Sequence, residues 1–112
     1  MLRKLLVLAL VGAVVAILAT QAFAASSIKV GDNYFVRPSG VPTVTVKKGS
    51  TVTWRFSGRN LHTVAVRSGP AKFRSSAKTK GTYKKKLTRA GTYRIYCTIH
   101  GSGDQSMKLV VK

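Results

Sequence analysis

From Thr43 onward the chain alternates apolar and polar residues with period two, and no stretch of it carries helical periodicity over three turns. Val44 and Val46 alternate with Thr43, Thr45 and Lys47. A turn through KKGS follows, and TVTWRF then places Val52, Trp54 and Phe56 on one face. Gly49 suits the tight reversal before Ser50. GTYKKKL sets Tyr83, Lys85 and Leu87 on one side, TYRIYC sets Tyr93, Ile95 and Cys97 together, and SMKLVVK sets Met107, Leu109 and Val111 in phase. IKV and YFVRPSG add an edge strand and a loop around Pro38, and HTVAVR reads as a further strand entered at His62 from the loop SGRN. Six to eight short strands parted by Gly and Pro turns predict an all-β fold, an antiparallel Greek-key sandwich or barrel. Trp54, Phe56, Tyr93 and Ile95 are the expected core, with a binding surface as the other place for Trp54.

At 112 residues the chain is sized for a single domain. Its start is of another kind. Arg3 and Lys4 precede an apolar run from Leu5 to Ala19, and Ala22, Phe23 and Ala24 give a small-x-small cleavage pattern. The run of 15 residues is shorter than the ~20 that span a bilayer comfortably. We therefore expect a secretory signal over residues 1–24, cleavage after Ala24, and an exported domain over 25–112, which is periplasmic, envelope-associated or secreted.

Charge narrows the chemistry further. The chain holds 20 Lys and Arg against 2 acidic residues, a formal charge of +18, and Asp32 and Asp104 are the only carboxylate side chains. Chemistry that needs paired carboxylates is almost excluded. Loss of Arg3 and Lys4 leaves 18 basic and 2 acidic residues, +16 on the mature chain. Export and the lack of a recognition motif argue against nucleic acid. The expected partners are an acidic protein, an anionic cell-envelope polymer or lipid head groups. The densest basic stretch, Lys72 to Arg89, reads either as a solvated surface or as a docking patch, and the same charge opposes self-association, so a monomer is expected.

A single cysteine cannot close an internal disulfide, so Cys97 needs another explanation. Cys97 and His100 lie two residues apart at a strand exit, near enough to converge on one ion, and His62 from another strand supplies a third donor. One thiolate with two imidazoles is the donor set of a trigonal copper centre, completed by a weak axial Met, Gln or backbone oxygen. Zinc is accommodated by similar donors. A nucleophilic Cys97 with His100 as base is the weaker alternative.

Two stretches, TVTVKKGSTVTWRFSGRNLHTVAV and AGTYRIYCTIHGSGDQSM, together with the final KLVVK, resemble the small blue-copper proteins, the cupredoxins of the plastocyanin and pseudoazurin type. The resemblance covers most of the mature chain. It matches Asn60, Leu61 and His62 to the family's Asn-x-His loop, and Tyr96, Cys97 and His100 to its Tyr-Cys-x-x-His segment. It implies a non-enzymatic carrier of single electrons with one copper ion cycling between Cu(I) and Cu(II), a redox partner protein, and an electron route through the exposed edge of His100. The axial position departs from the plastocyanin pattern, in which Met follows the second His by five residues. That position is Gln105 here, as in the stellacyanin-like branch, whereas Met107 lies seven residues after His100. Gln105 is the expected fourth ligand and Met107 the alternative, with Met107 in phase to be core. Asp104 is expected to be solvent-facing or to support a ligand, and Thr98, Ile99 and Gly101 to shape the surroundings. Two other functions stay open at this point: copper binding, storage or delivery without electron turnover, and a metal-free basic β-sandwich binding module.

Overall fold

The structure, a computed structural model, describes residues 26–112. The expected signal over residues 1–24 and its cleavage point lie outside the described residues. Eight strands form: β1 (Ser26–Gly31), β2 (Tyr34–Phe35), β3 (Thr43–Val46), β4 (Thr51–Phe56), β5 (Ala65–Ser68), β6 (Gly81–Lys86), β7 (Gly91–Tyr96) and β8 (Ser106–Val111). They make two four-stranded sheets, ordered β2-β1-β4-β6 and β3-β8-β7-β5. Each sheet joins one parallel pair to antiparallel ones. β1 runs parallel to β4 and β3 parallel to β8, because in both cases the intervening chain crosses to the opposite sheet before returning. The expected all-β sandwich is thus built from mixed sheets, not purely antiparallel ones.

Alternation along each strand decides which residues lie between the sheets. Ile28 and Val30 of β1, Val52, Trp54 and Phe56 of β4, Tyr93 and Ile95 of β7, and Met107, Leu109 and Val111 of β8 are all buried. The four expected core residues are among them, so Trp54 lines no surface. Its ring centroid lies 5.9 Å from those of both Phe73 and Tyr83, and Phe73 also packs on Tyr93 at 6.1 Å, an aromatic cluster closing one side of the core. The Tyr93 hydroxyl donates to the Arg89 carbonyl at 2.7 Å and pins the turn that enters β7. Gly49, at φ 92°, turns the chain between β3 and β4 in a backbone conformation that side chains resist.

The strand expected over HTVAVR starts later than its pattern suggests. His62 forms an isolated bridge with Lys78, the Val64 amide donates to the Ser75 hydroxyl at 2.9 Å, and only from Ala65 does the chain pair with β7. The segment 72–80, polar in sequence, therefore supplies the pairing that holds His62 at the end of the sandwich. Its Phe73 is half-buried and packs against the core, a contact that the sequence pattern does not single out.

Candidate metal centre

Three loops meet beyond the ends of the sheets. The β4–β5 loop carries Asn60, Leu61 and His62; the loop after β7 carries Cys97 and His100; the β1–β2 hairpin carries Asp32 and Asn33 at its tip, with Asn33 in the left-handed region at φ 66°. One donor atom from each of His62, Cys97 and His100 lies within 4.8 Å of the others. His62 and Cys97 are fully buried and His100 is half-buried. The two imidazole centroids stand 4.8 Å apart, and His100 Nδ1 lies 3.4 Å from Cys97 Sγ.

Backbone geometry prepares the sulfur. The Thr63 amide donates to Cys97 Sγ at 3.5 Å, and the Cys97 amide is itself fixed on the Gln105 carbonyl at 3.1 Å. Burial alone would raise the thiol, but hydrogen bonds from the Thr63 and His100 amides, the His100 side chain and the Ile99 amide outweigh it and bring Cys97 down to about 6. The thiolate that a soft metal requires is thereby the accessible form near neutral pH. Thr63 and Thr98 also share a hydrogen bond at 2.9 Å, tying the two ligand-bearing loops together beside the sulfur.

His62 is gripped from both sides. Its Nε2–H donates to Asp32 Oδ1 at 2.8 Å, and its Nδ1 lies 2.9 Å from Gln105 Oε1, donating to that oxygen when the ring is protonated and holding a free lone pair when the ring is neutral. Burial works against protonation of this ring, but Asp32, Cys97 and Gln105 outweigh it, so His62 titrates above its ordinary value. Asp32 is held down to about 2, first by the Arg59 amide and then by His62 and the Asn60 amide. Those amides reach its carboxylate at 3.0 to 3.1 Å, so this one side chain ties the β1–β2 tip to the His62 loop. Sequence reasoning counted Asp32 only as one of two acids. Its distance in sequence from His62 hides the contact, and a lone Asp in a two-residue hairpin tip is the only local signal.

Gln105 is fully buried, and its amide nitrogen donates to the carbonyls of Gly31 and Tyr34, each at 3.0 Å. Two acceptors on that side fix the amide orientation and turn the oxygen toward His62. Met107 lies elsewhere: it is fully buried in β8 opposite Ile95 and belongs to the hydrophobic core, the place its strand phase predicts. Asp104 is exposed. Leu61 and Ile99, next to the two histidines in sequence, are exposed by 52% and 51%, which leaves an apolar rim at this end of the molecule.

The donor set suits copper. One depressed thiol and two imidazoles converge, no carboxylate enters the cluster itself, and a neutral amide oxygen faces it, a combination of soft and borderline donors that favours Cu over Mg or Ca.

No protein-family model matches the chain, and no curated protein matches it. Solved structures do. An oxidised proline-to-glycine variant of amicyanin is 29% identical, with 80% of this chain and 83% of that one covered and a TM-score of 0.61. Amicyanin from Paracoccus versutus is 28% identical over 79% of this chain and 81% of that one, at a TM-score of 0.65. A copper-containing nitrite reductase from Thermus scotoductus shares the fold, at 17% identity and a TM-score of 0.63, over 80% of this chain but 22% of the enzyme. The chain has the cupredoxin fold, similar to that of amicyanin, and its cluster of His62, Cys97 and His100 fits a type 1 copper site.

Proposed function

We propose that this protein is an exported electron carrier that would hold one copper ion through His62, Cys97 and His100, with Gln105 as the fourth donor. The observation that carries the reading is the convergence of one thiol and two imidazoles within 4.8 Å at the loop end of a cupredoxin sandwich. Amicyanin structures of similar fold include oxidised and Cu(I) forms, which supports redox cycling here. Bound at these donors, copper supplies a one-electron couple whose thiolate stabilises Cu(I) and whose imidazoles accommodate Cu(II).

The protein's own part is to fix the donors. With Nε2 committed to Asp32, His62 presents Nδ1 to the cluster, and with its amide nitrogen committed to two carbonyls, Gln105 presents oxygen. Loops anchored on a rigid sandwich resist rearrangement between oxidation states. Half-buried His100, between exposed Ile99 and the buried sulfur, gives a short path from the surface to the site, and the Leu61 and Ile99 rim offers a redox partner an apolar contact there. The surrounding positive charge favours a partner with an acidic surface.

Nuclear magnetic resonance of Cu(I) and Cu(II) protein mixtures tests the carrier role. Concentration-dependent broadening of His62 and His100 signals, with one copper retained per chain through repeated cycles, is the expected result. Copper released on each reduction, without electron exchange, would replace the carrier by a delivery protein.

A further inference from the structure

The sheet β2-β1-β4-β6 has an outer face unlike anything the copper site uses. Residues pointing away from the core alternate with the buried ones, and strand register sets them in rows. Lys29 of β1 lies beside Arg55 of β4, which lies beside Thr82 of β6. In the next row Ser27, Thr53 and Lys84 stand together, and beyond them Thr51 faces Lys86. Lys29, Arg55, Lys84 and Lys86 are all exposed. Neighbouring strands are about 4.8 Å apart and alternate residues of one strand about 7 Å, so the four cations form a compact grid with hydroxyls between them.

No described residue neutralises this grid. Among the described residues the ion pair that forms is Asp32 with His62, and none of the 18 Lys and Arg side chains pairs with a carboxylate. Lys29 beside Arg55 sets two like charges on neighbouring strands, a repulsion that a bound anion would relieve. At the edge of the grid the Tyr34 ring packs against Gly31, where a Cβ would collide with it, and Lys29 Nζ sits 5.6 Å from the ring centroid.

We propose that this face binds an anionic polysaccharide, a chain of sugars bearing carboxylates. The four cations match its charge, the Ser and Thr hydroxyls match its hydroxyl groups, and the half-buried Tyr34 ring at the edge of the grid suits the apolar side of a sugar ring. The face projects no aliphatic side chain to enter a bilayer and, Tyr34 apart, no apolar anchor of the kind that dominates protein interfaces. It runs along the side of the sandwich, with Lys86 and Thr51 at the end of β4 remote from the His62 loop. A polymer bound there leaves the Leu61 and Ile99 rim free. This inference rests on the sheet face alone and stands whether or not the metal centre is as proposed.

The test is retention of the purified protein on immobilised polygalacturonate, with dextran as neutral control, across a salt series. Replacement of Lys29, Arg55, Lys84 and Lys86 by Gln is compared with replacement of Lys47, Arg94, Lys108 and Lys112 by Gln, which removes the same charge from the other sheet and its ends. Circular dichroism confirms that each variant is folded. We expect the first set to weaken binding about tenfold or more and the second about threefold or less. Tyr34→Ala is expected to weaken binding to polygalacturonate and to leave binding to inorganic polyphosphate unchanged. Equal loss in both charge sets would reduce the effect to net charge and overturn the proposal. So would an absence of binding to polygalacturonate, or binding by this face to phosphatidylglycerol vesicles in its place.

Discussion

Asp32 Oδ1 accepts a 2.8 Å hydrogen bond from His62 Nε2, so one of the chain's two carboxylates is spent orienting a histidine of the metal cluster. A carboxylate behind a ligating imidazole fixes the ring, settles which nitrogen faces the metal and increases its basicity. Asp32→Ala should therefore lower copper affinity, by about 10- to 100-fold on the scale of such outer contacts. Asp32→Asn keeps an acceptor without the charge and should retain much of the affinity. Both variants should have a raised reduction potential, because a nearby negative charge stabilises Cu(II) more than Cu(I). Chelator competition and redox titration check this, and unchanged values in both variants would remove Asp32 from the site.

Gly58 makes a second, independent probe of the same contact. A Cβ at this position would collide with the Asp32 carboxylate, so the carboxylate can approach the His62 loop only because position 58 has no side chain. Gly58→Ala should lower copper affinity in the direction of Asp32→Ala, and in an Asp32→Ala background it should add little. Full additivity of the two, read by the same chelator competition, would mean that Gly58 acts by another route.

Gln105 and Met107 separate into two roles. A thioether in place of the Gln105 oxygen favours Cu(I), so Gln105→Met should raise the reduction potential. An unchanged or lower potential would count against Gln105 as axial ligand. Met107→Ala should instead destabilise the fold by about 2 to 5 kcal/mol, the usual range for emptying such a core position. Its copper absorption should match that of the unaltered protein, because the side chain packs opposite Ile95 in the core.

Trp54 gives a prediction about the core alone. Among the described residues its buried indole nitrogen finds no hydrogen-bond partner, so Trp54→Phe removes an unsatisfied donor along with part of the ring. Chemical denaturation should show Trp54→Phe costing well under the roughly 3 to 5 kcal/mol expected for Trp54→Ala. Equal costs would show that a Phe ring at this position recovers none of the packing on Phe73 and Tyr83 and that loss of the donor brings no gain.

The fold was legible in sequence where alternation was regular. Trp54, Phe56, Tyr93 and Ile95 follow period two and are buried, and Met107 sits in the core as its phase with Leu109 and Val111 predicts. Pairing direction was not legible, because period two is the same for parallel and antiparallel neighbours; hence the β1–β4 and β3–β8 pairs came from the structure. His62, Cys97 and His100 were readable by residue type and spacing, and the structure brings them together. Asp32 was not, since its contact with His62 spans 30 residues and depends on a hairpin tip meeting a loop. Phe73 was hidden in a polar segment whose bridges to the His62 region no local pattern announces.

The central claim is most directly tested by adding Cu(II) to the purified protein and recording its visible spectrum and metal content before and after ascorbate. The account predicts one copper per chain and an intense thiolate-to-copper band that ascorbate bleaches and reoxidation restores. Folded protein with a reduced Cys97 that took up no stoichiometric copper and gave no such band would contradict it.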